Sequence, residues 1–313
     1  MEADRPDEAD VPPDGHADRR DDQAAGGRTA RPAGTEAETR SRQECYDQLR
    51  VAEAKEKSEA AQQATAEEQT ATDKWNEDAT ESRCMWTEYL RKWPPEERQS
   101  AARSDGNRVL DRAASSQVEA ACERIAERER DKITPAMHTV ESQDPDRHLV
   151  GLDYCLKDSD RIKEKVYRSI KNFGRSPEQA VSLVPDTIRY TFQYRETHYT
   201  QGIWADVRRL KEQGFELCKL KNSWSKDQYK GINSQWIEPH SGQRFEVQFH
   251  TRISYEAKQL THDAYERLRA EPKPDKFEQM VLEAFQKKVT SEVPIPPGAT
   301  DFPDHSRRGT DVR

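Results

Sequence analysis

Two acidic residues in the C-terminal half of the chain stand in strand-like surroundings, Asp186 in "PDTIRYTFQY" and Glu246 in "GQRFEVQFHT". Asp186 alone is an ordinary strand-entry residue after a proline; Glu246 is the odder of the two. Along its strand Phe245, Val247 and Phe249 share one face, which leaves Glu246, Gln248 and His250 on the other. Two carboxylates on neighbouring strands facing a cleft hold Mg²⁺, an ion that takes oxygen ligands and shares its shell with water and substrate phosphates. The competing reading is the solvated polar face of a sheet.

Cations gather around this pair in the sequence. Arg161, Lys165 and Arg168 fall on one face of a predicted helix, with Lys163 and Lys171 to the side, and Lys219 and Lys221 are two apart on a predicted strand. Each group alone reads as hydrated surface. Converging on two carboxylates, they suit a triphosphate, because phosphoryl transfer is mostly positioning and charge stabilisation. Between strands lies "YKGIN", where Tyr229 is placed to stack on a purine and Lys230 and Asn233 to meet ribose or phosphate oxygens. Gly231 would let the backbone approach closely. A plain hairpin, with Tyr229 packed on Trp224 or Trp236, accounts for the same residues.

The elements that must position these groups follow from periodicity. A helix is predicted over 149–172, then strands over 186–194, 215–222, 232–239 and 243–251. "YTQGIWADVRRLKEQG" separates the first two strands as a helix ending at Gly214; "SYEAKQLTHDAYERLRA" and 275–288 supply two more. That order indicates an α+β fold, a mixed sheet flanked by helices. Upstream, residues 41–131 are helix-forming, and Trp75, Trp86 and Trp93 return to nearly one helical face that must be buried somewhere. "WPPEER" breaks that helix and suits the start of another. Residues 1–40 contain no aromatic and a single branched aliphatic, Val11, and are expected to be disordered; 291–313 reads as a flexible tail.

In their order, "DRIKEKVYRSIKN", "PDTIRYTF", "LKNSW" with "YKGIN", "FEVQFHT" and "HDAYE" resemble the synthetase domain of the RelA/SpoT-type alarmone synthetases, nearest in wording to the small, toxin-like actinobacterial branch. The resemblance covers roughly 150–270 and implies a synthetase domain over 132–290 on a nucleotidyltransferase-like mixed sheet. It implies a nucleotide 3′-pyrophosphokinase that moves the β,γ-pyrophosphate of ATP to the 3′-hydroxyl of an acceptor. GDP or GTP is the default acceptor, with adenosine nucleotides or a tRNA 3′ end as alternatives. Growth arrest as a toxin is one role this leaves open, and a catalytically inactive nucleotide-binding protein is the alternative from another class.

Carried over by residue, Asp186 matches the Mg²⁺ aspartate, and Glu246 matches a second metal ligand or the acceptor of the hydroxyl proton. Arg161, Lys163 or Lys165, Ser169 and Lys171 match the helix that holds ATP phosphates, and Arg189 the strand arginine. Lys221, Tyr229, Lys230, Asn233, Gln248 and His262 fall on the acceptor side. Asn233 stands where many members carry histidine.

Composition bounds these readings. With 33% hydrophobic and 35% charged residues, much of the length buries no core. A net charge of −8 argues against coating by nucleic acid and leaves a local basic pocket open. The five cysteines form no CxxC, which points to a reducing compartment rather than disulfides or zinc. With no signal-like or spanning segment, the expectation is a cytoplasmic protein without membrane contact, acting on ATP and an acceptor. A homo-oligomer, an antitoxin or a helical partner on the tryptophan face are further expected associations.

Overall fold

The computed structural model describes residues 36–94, 110–270 and 272–307. The expected disorder of 1–40 falls largely outside them, as do the helix start after Pro94 and the last residues of the tail. The chain divides into two compact units, 1–60 and 61–313. Helix α1 (Glu36–Lys92) begins in the first, where residues 51–60 are exposed, as a run rich in Ala, Glu and Lys requires.

In the second unit the alternation around Glu246 becomes the organising strand, β5 (Gln243–Thr251). Phe245, Val247 and Phe249 are fully buried on one face. β5 pairs antiparallel with β4 (Ile232–Glu238) and parallel with β2 (Arg189–Tyr194). β1 (Arg147–Val150) and β3 (Glu216–Asn222) extend the sheet, and β6 (His305–Ser306) completes the order β1-β2-β5-β4-β3-β6. The fold is thus mixed α+β.

Helices cover the sheet where their apolar stripes demand it. In α6 (Tyr199–Glu212) Tyr199, Ile203, Val207 and Leu210 are buried, and the Tyr199 hydroxyl donates to the Phe249 carbonyl at 2.8 Å. Trp224 bonds Tyr199 (Nε1 to hydroxyl 2.9 Å). α7 (Arg252–Arg269) starts directly from β5 through a capping box between Thr251 and Ser254. α8 (Lys276–Ser291) starts at the Asp275 cap.

Three expectations need correction. The helix predicted over 149–172 is only α4 (Ser159–Phe173), with the short α5 (Pro177–Ser182) after it; ahead of it lie β1, Gly151 at φ 68°, a single 3₁₀ turn and the Asp158 cap. The left-handed glycine and the capping aspartate end one element and begin another. The supposed boundary at 131/132 falls inside continuous helix: α2 (Arg112–Arg128) passes through a π turn, Glu129–Ile133, into α3 (Thr134–Glu141). Pro135 sits in the first turn of α3, directly after the π turn, where the regular i→i−4 ladder is already interrupted. Nor is 291–307 a loose tail. Val293, Ala299 and Phe302 are buried, Phe302 stacks on Trp204 at 4.4 Å, and Asn222 donates to the carbonyls of Ala299, Thr300 and Phe302.

The tryptophan face is covered by the chain itself. Trp86 stacks on Phe285 of α8 at 5.0 Å, Trp93 lies 6.0 Å from Phe277, and the Tyr89 hydroxyl donates to the buried Glu278 at 2.9 Å. This burial supplies the partner that the stripe calls for, so the face gives no ground for a helical docking partner. No helix among the described residues is long and apolar enough to cross a membrane.

Candidate functional site

The polar face of β5, the start of β2, α4, the loop before β4 and α7 enclose a cleft of about 1490 Å³. Ten Lys and Arg side chains line it against six Asp and Glu, a positive excess inside a chain whose net charge is −8. α4 contributes because Ile162 and Val166 bury one side of it, leaving Arg161, Lys165 and Arg168 to face the opening.

Parallel pairing sets Arg189 directly beside Glu246. Its guanidinium joins the two carboxylates: Nη2 lies 3.0 Å from Asp186 Oδ2, and Nε 3.1 Å from Glu246 Oε2. Asp186 also receives Lys165, at 2.7 and 2.9 Å from its two oxygens, and Lys157, at 2.9 Å. Burial by itself would raise the Asp186 carboxyl, but the Lys165 and Lys157 ammoniums outweigh it and bring the group down to about 2. Burial pulls the Lys157 amine down, with Asp186 opposing.

The other end of the row is Lys258 on α7. Its Nζ donates to Gln248 Oε1 at 2.7 Å, and Gln248 Nε2 donates to Glu246 Oε1 at 2.9 Å. Burial, with Arg189 nearby, lowers the Lys258 amine to about 8.

The bend is held from beneath. The Tyr229 hydroxyl donates to Asn233 Oδ1 at 2.6 Å and lies 2.8 Å from His250 Nε2, whose Nδ1 is 2.9 Å from the Ser254 hydroxyl. Tyr229 has one proton, given to Asn233, so His250 donates through Nε2 and accepts at Nδ1. Burial, then Lys258, holds His250 well below its ordinary value and therefore neutral. Burial, then Glu246, pushes the Tyr229 hydroxyl well up. Its ring remains part-exposed to the cleft. Gly231 is required by the same packing, since a Cβ there would stand 2.7 Å from His250 Cε1.

Of the fourteen residues carried over from the resemblance, Asp186, Glu246, Arg161, Lys165, Arg189, Lys221, Tyr229, Asn233, Gln248 and His262 line this cleft. Four do not. Lys163 bonds Glu119 of α2 at 2.7 Å, and the Ser169 hydroxyl accepts from Arg175 at 3.2 Å. Lys171 lies 5.8 Å from the Tyr167 ring, and Lys230 donates to the carbonyls of Trp224 and Lys226 at 2.9 and 2.7 Å, closing the loop instead of facing the cleft. Two cleft residues, Lys157 and Lys258, escaped sequence reasoning. Lys157 falls in a stretch predicted as helix, and Lys258 in "SYEAKQLTHDAYERLRA", predicted only as a helix, so neither carried a signal.

Among the described residues Asp144, Asp146 and His198 also bring metal-type ligand atoms within 4.8 Å of one another. Asp144 is already paired with His198 at 3.0 Å and Arg209 at 3.3 Å, and Asp146 with Arg195 at 3.6 Å. This is an ion-pair network bracing β1 against α6.

No protein-family model matches the chain, and no curated protein does. Among solved structures it is similar to the protein smu.1046c of Streptococcus mutans UA159, with 15% identity, TM-score 0.34, and coverage of 57% of this chain and 87% of that one. It is similar to the small alarmone synthetase 1 of Bacillus subtilis bound to its product pppGpp (14% identity, TM-score 0.33, coverage 56% and 89%). A GTP pyrophosphokinase family protein of Streptococcus pneumoniae is a third such structure (12% identity, TM-score 0.33, coverage 57% and 86%).

Proposed function

We propose that the chain is an ATP-dependent nucleotide 3′-pyrophosphokinase. The observation that carries this reading is the single cleft in which Asp186 and Glu246 meet Lys157, Arg161, Lys165 and Arg189 on one side and the part-exposed ring of Tyr229 on the other. Its volume of about 1490 Å³ exceeds the roughly 300–1,000 Å³ of an ordinary single-ligand site, which suits two nucleotides side by side.

The cationic side receives the triphosphate of ATP, and Tyr229 stacks on the acceptor base. The acceptor's 3′-oxygen forms a bond to the β-phosphorus as the bond from that phosphorus to the α,β-bridging oxygen breaks. AMP leaves with that oxygen, and the hydroxyl proton passes to Glu246 and on to water. Arg189, Lys165 and Lys157 stabilise charge that grows on the transferring group.

Asp186 and Glu246 are hard oxygen donors of the kind Mg²⁺ takes, and for the ion to enter, Lys157, Lys165 and Arg189, now paired with them, would have to turn to the substrate phosphates. Held there, the ion would neutralise phosphate oxygens.

The test is purified protein with Mg²⁺, labelled ATP and an acceptor panel of GDP, GTP, adenosine nucleotides and tRNA. AMP release matched by a 3′-pyrophosphorylated product is expected, GDP or GTP first, and Glu246→Gln should lower it at least about 100-fold. No AMP with any acceptor overturns the reading. Growth arrest on induction of the wild type, but not of Glu246→Gln, would assign the toxin role.

A further inference from the structure

Glu246 has one oxygen on Arg189 and the other on the side-chain amide of Gln248. Gln248 is buried, 4% exposed, on a central strand between Thr191 of β2 and Asn233 of β4, so its amide has little room and must be satisfied where it stands. An amide bonds equally well in either of two orientations unless a neighbour can only give or only take. Lys258 is such a neighbour. An ammonium has three donors and no acceptor, so the group it meets at 2.7 Å has to be Gln248 Oε1. That forces the NH₂ towards Glu246, where it donates at 2.9 Å. The flipped amide would set its oxygen against a carboxylate oxygen and its NH₂ against an ammonium, two repulsive contacts for two attractive ones.

We infer that Lys258 is a positioning residue which, by fixing the orientation of the Gln248 amide, holds the Glu246 carboxylate in place for the transfer reaction. This rests on the function proposed above. Lys258 lines the cleft from α7, and its Nζ lies over the Tyr255 ring, 5.2 Å from the centroid, so it is held on its own helix as well. Arg189 and Glu246 are the charged groups acting on it from β2 and β5, and the neutral His250 and the Tyr255 phenol are titratable groups near it. Removing the ammonium leaves Gln248 Oε1 buried without a donor, which favours a rotamer change that takes the amide off Glu246 and releases the carboxylate on that side.

Two readouts on the full chain test it. With ¹⁵N-glutamine labelling, and Gln248→Glu to assign the signal, the Gln248 side-chain NH₂ resonance should be resolved and protected from solvent exchange in the wild type. It should be retained in Lys258→Arg and lose its protection in Lys258→Met. In the AMP-release assay, Lys258→Met should lower kcat about 10–100-fold with the KM for ATP within about 2-fold, while Lys258→Arg restores most of kcat.

An unchanged Gln248 resonance in Lys258→Met overturns the inference, as does an unchanged kcat or a KM that rises in step with the loss. If the wild type releases no AMP with any acceptor, the proposed function fails separately. The resonance then decides whether Lys258 orders the amide.

Discussion

Gly231→Ala tests the packing beneath the candidate acceptor loop. A Cβ built on Gly231 meets His250 Cε1 at 2.7 Å, His250 Nδ1 at 3.1 Å and the Phe249 carbonyl oxygen at 3.2 Å. Carbon pairs are comfortable from about 3.5 Å, so the imidazole must retreat about 0.8 Å. The carbonyl belongs to β5 and cannot give way. The ring is held at both nitrogens, by Ser254 at 2.9 Å and by Tyr229 at 2.8 Å, so retreat stretches or breaks one of those bonds. Overpacking of this kind costs about 1–3 kcal/mol and a lost buried hydrogen bond about 1 kcal/mol more. Gly242→Ala is the control. Gly242 also has positive φ, 70°, but nothing lies within 4 Å of its would-be Cβ, so only backbone strain is charged there. In urea unfolding Gly231→Ala should therefore be the less stable of the two by at least about 1 kcal/mol. Calorimetric titration should show weaker acceptor binding for Gly231→Ala, by about 10-fold, with ATP binding retained. Equal stability of the two variants together with wild-type acceptor affinity would refute the reasoning.

Asp186 gives a pH signature. Its folded value of about 2 lies below the ordinary 3.8, so it adds stability above pH 4 that is lost as pH falls through 2. That contribution is about 2 kcal/mol. Unfolding free energies measured from pH 6 to 2 should fall more steeply for the wild type than for Asp186→Asn, and parallel curves would contradict the ion-pair account. Arg147 is fully buried, bonded through both its Nε and Nη2 to Asp206 and donating from Nη2 to the Val140 carbonyl at 2.6 Å. Arg147→Met strands Asp206 and should cost about 3–5 kcal/mol in urea unfolding; a loss under about 1 kcal/mol would mean Arg209 and Tyr194 satisfy that carboxylate alone.

The sheet was legible where a segment's periodicity matched its burial. β5 alternates in sequence because one face is core and the other cleft, and its predicted limits, 243–251, are those observed. β1 was not legible. "RHLV" is too short to show a period, and it runs into a helix-rich stretch from which only Gly151 and Asp158 separate it. The segment after α8 misled for a related reason. "PIPPGATDFPDHS" has loop chemistry throughout, yet its backbone is fixed by distant partners: the Asn222 amide answers three of its carbonyls, Thr200 donates to the Pro297 carbonyl, and β6 pairs with β3. A tie of that kind links residues about 80 apart and leaves no trace in local composition.

The candidate site shows the same division between residue type and residue partner. Type and spacing sufficed for Asp186, Glu246, Arg161 and Lys165, which reach the cleft from a turn, a strand and the exposed face of a helix whose period is plain. What a lysine faces is a tertiary fact. Lys163 and Lys165 differ by two positions on α4, about 200° around the helix, and one bonds Glu119 while the other bonds Asp186. Asn233 makes the point most sharply. As a sequence feature it was a phosphate or ribose contact, but its oxygen accepts the Tyr229 proton. A histidine there would compete with His250 for one hydroxyl, whereas an asparagine accepts from it and leaves His250 to donate. Under the proposed function Asn233 would act on the acceptor through the angle at which Tyr229 is held, and any effect of replacing Asn233 on acceptor choice should track the loss of that hydroxyl bond.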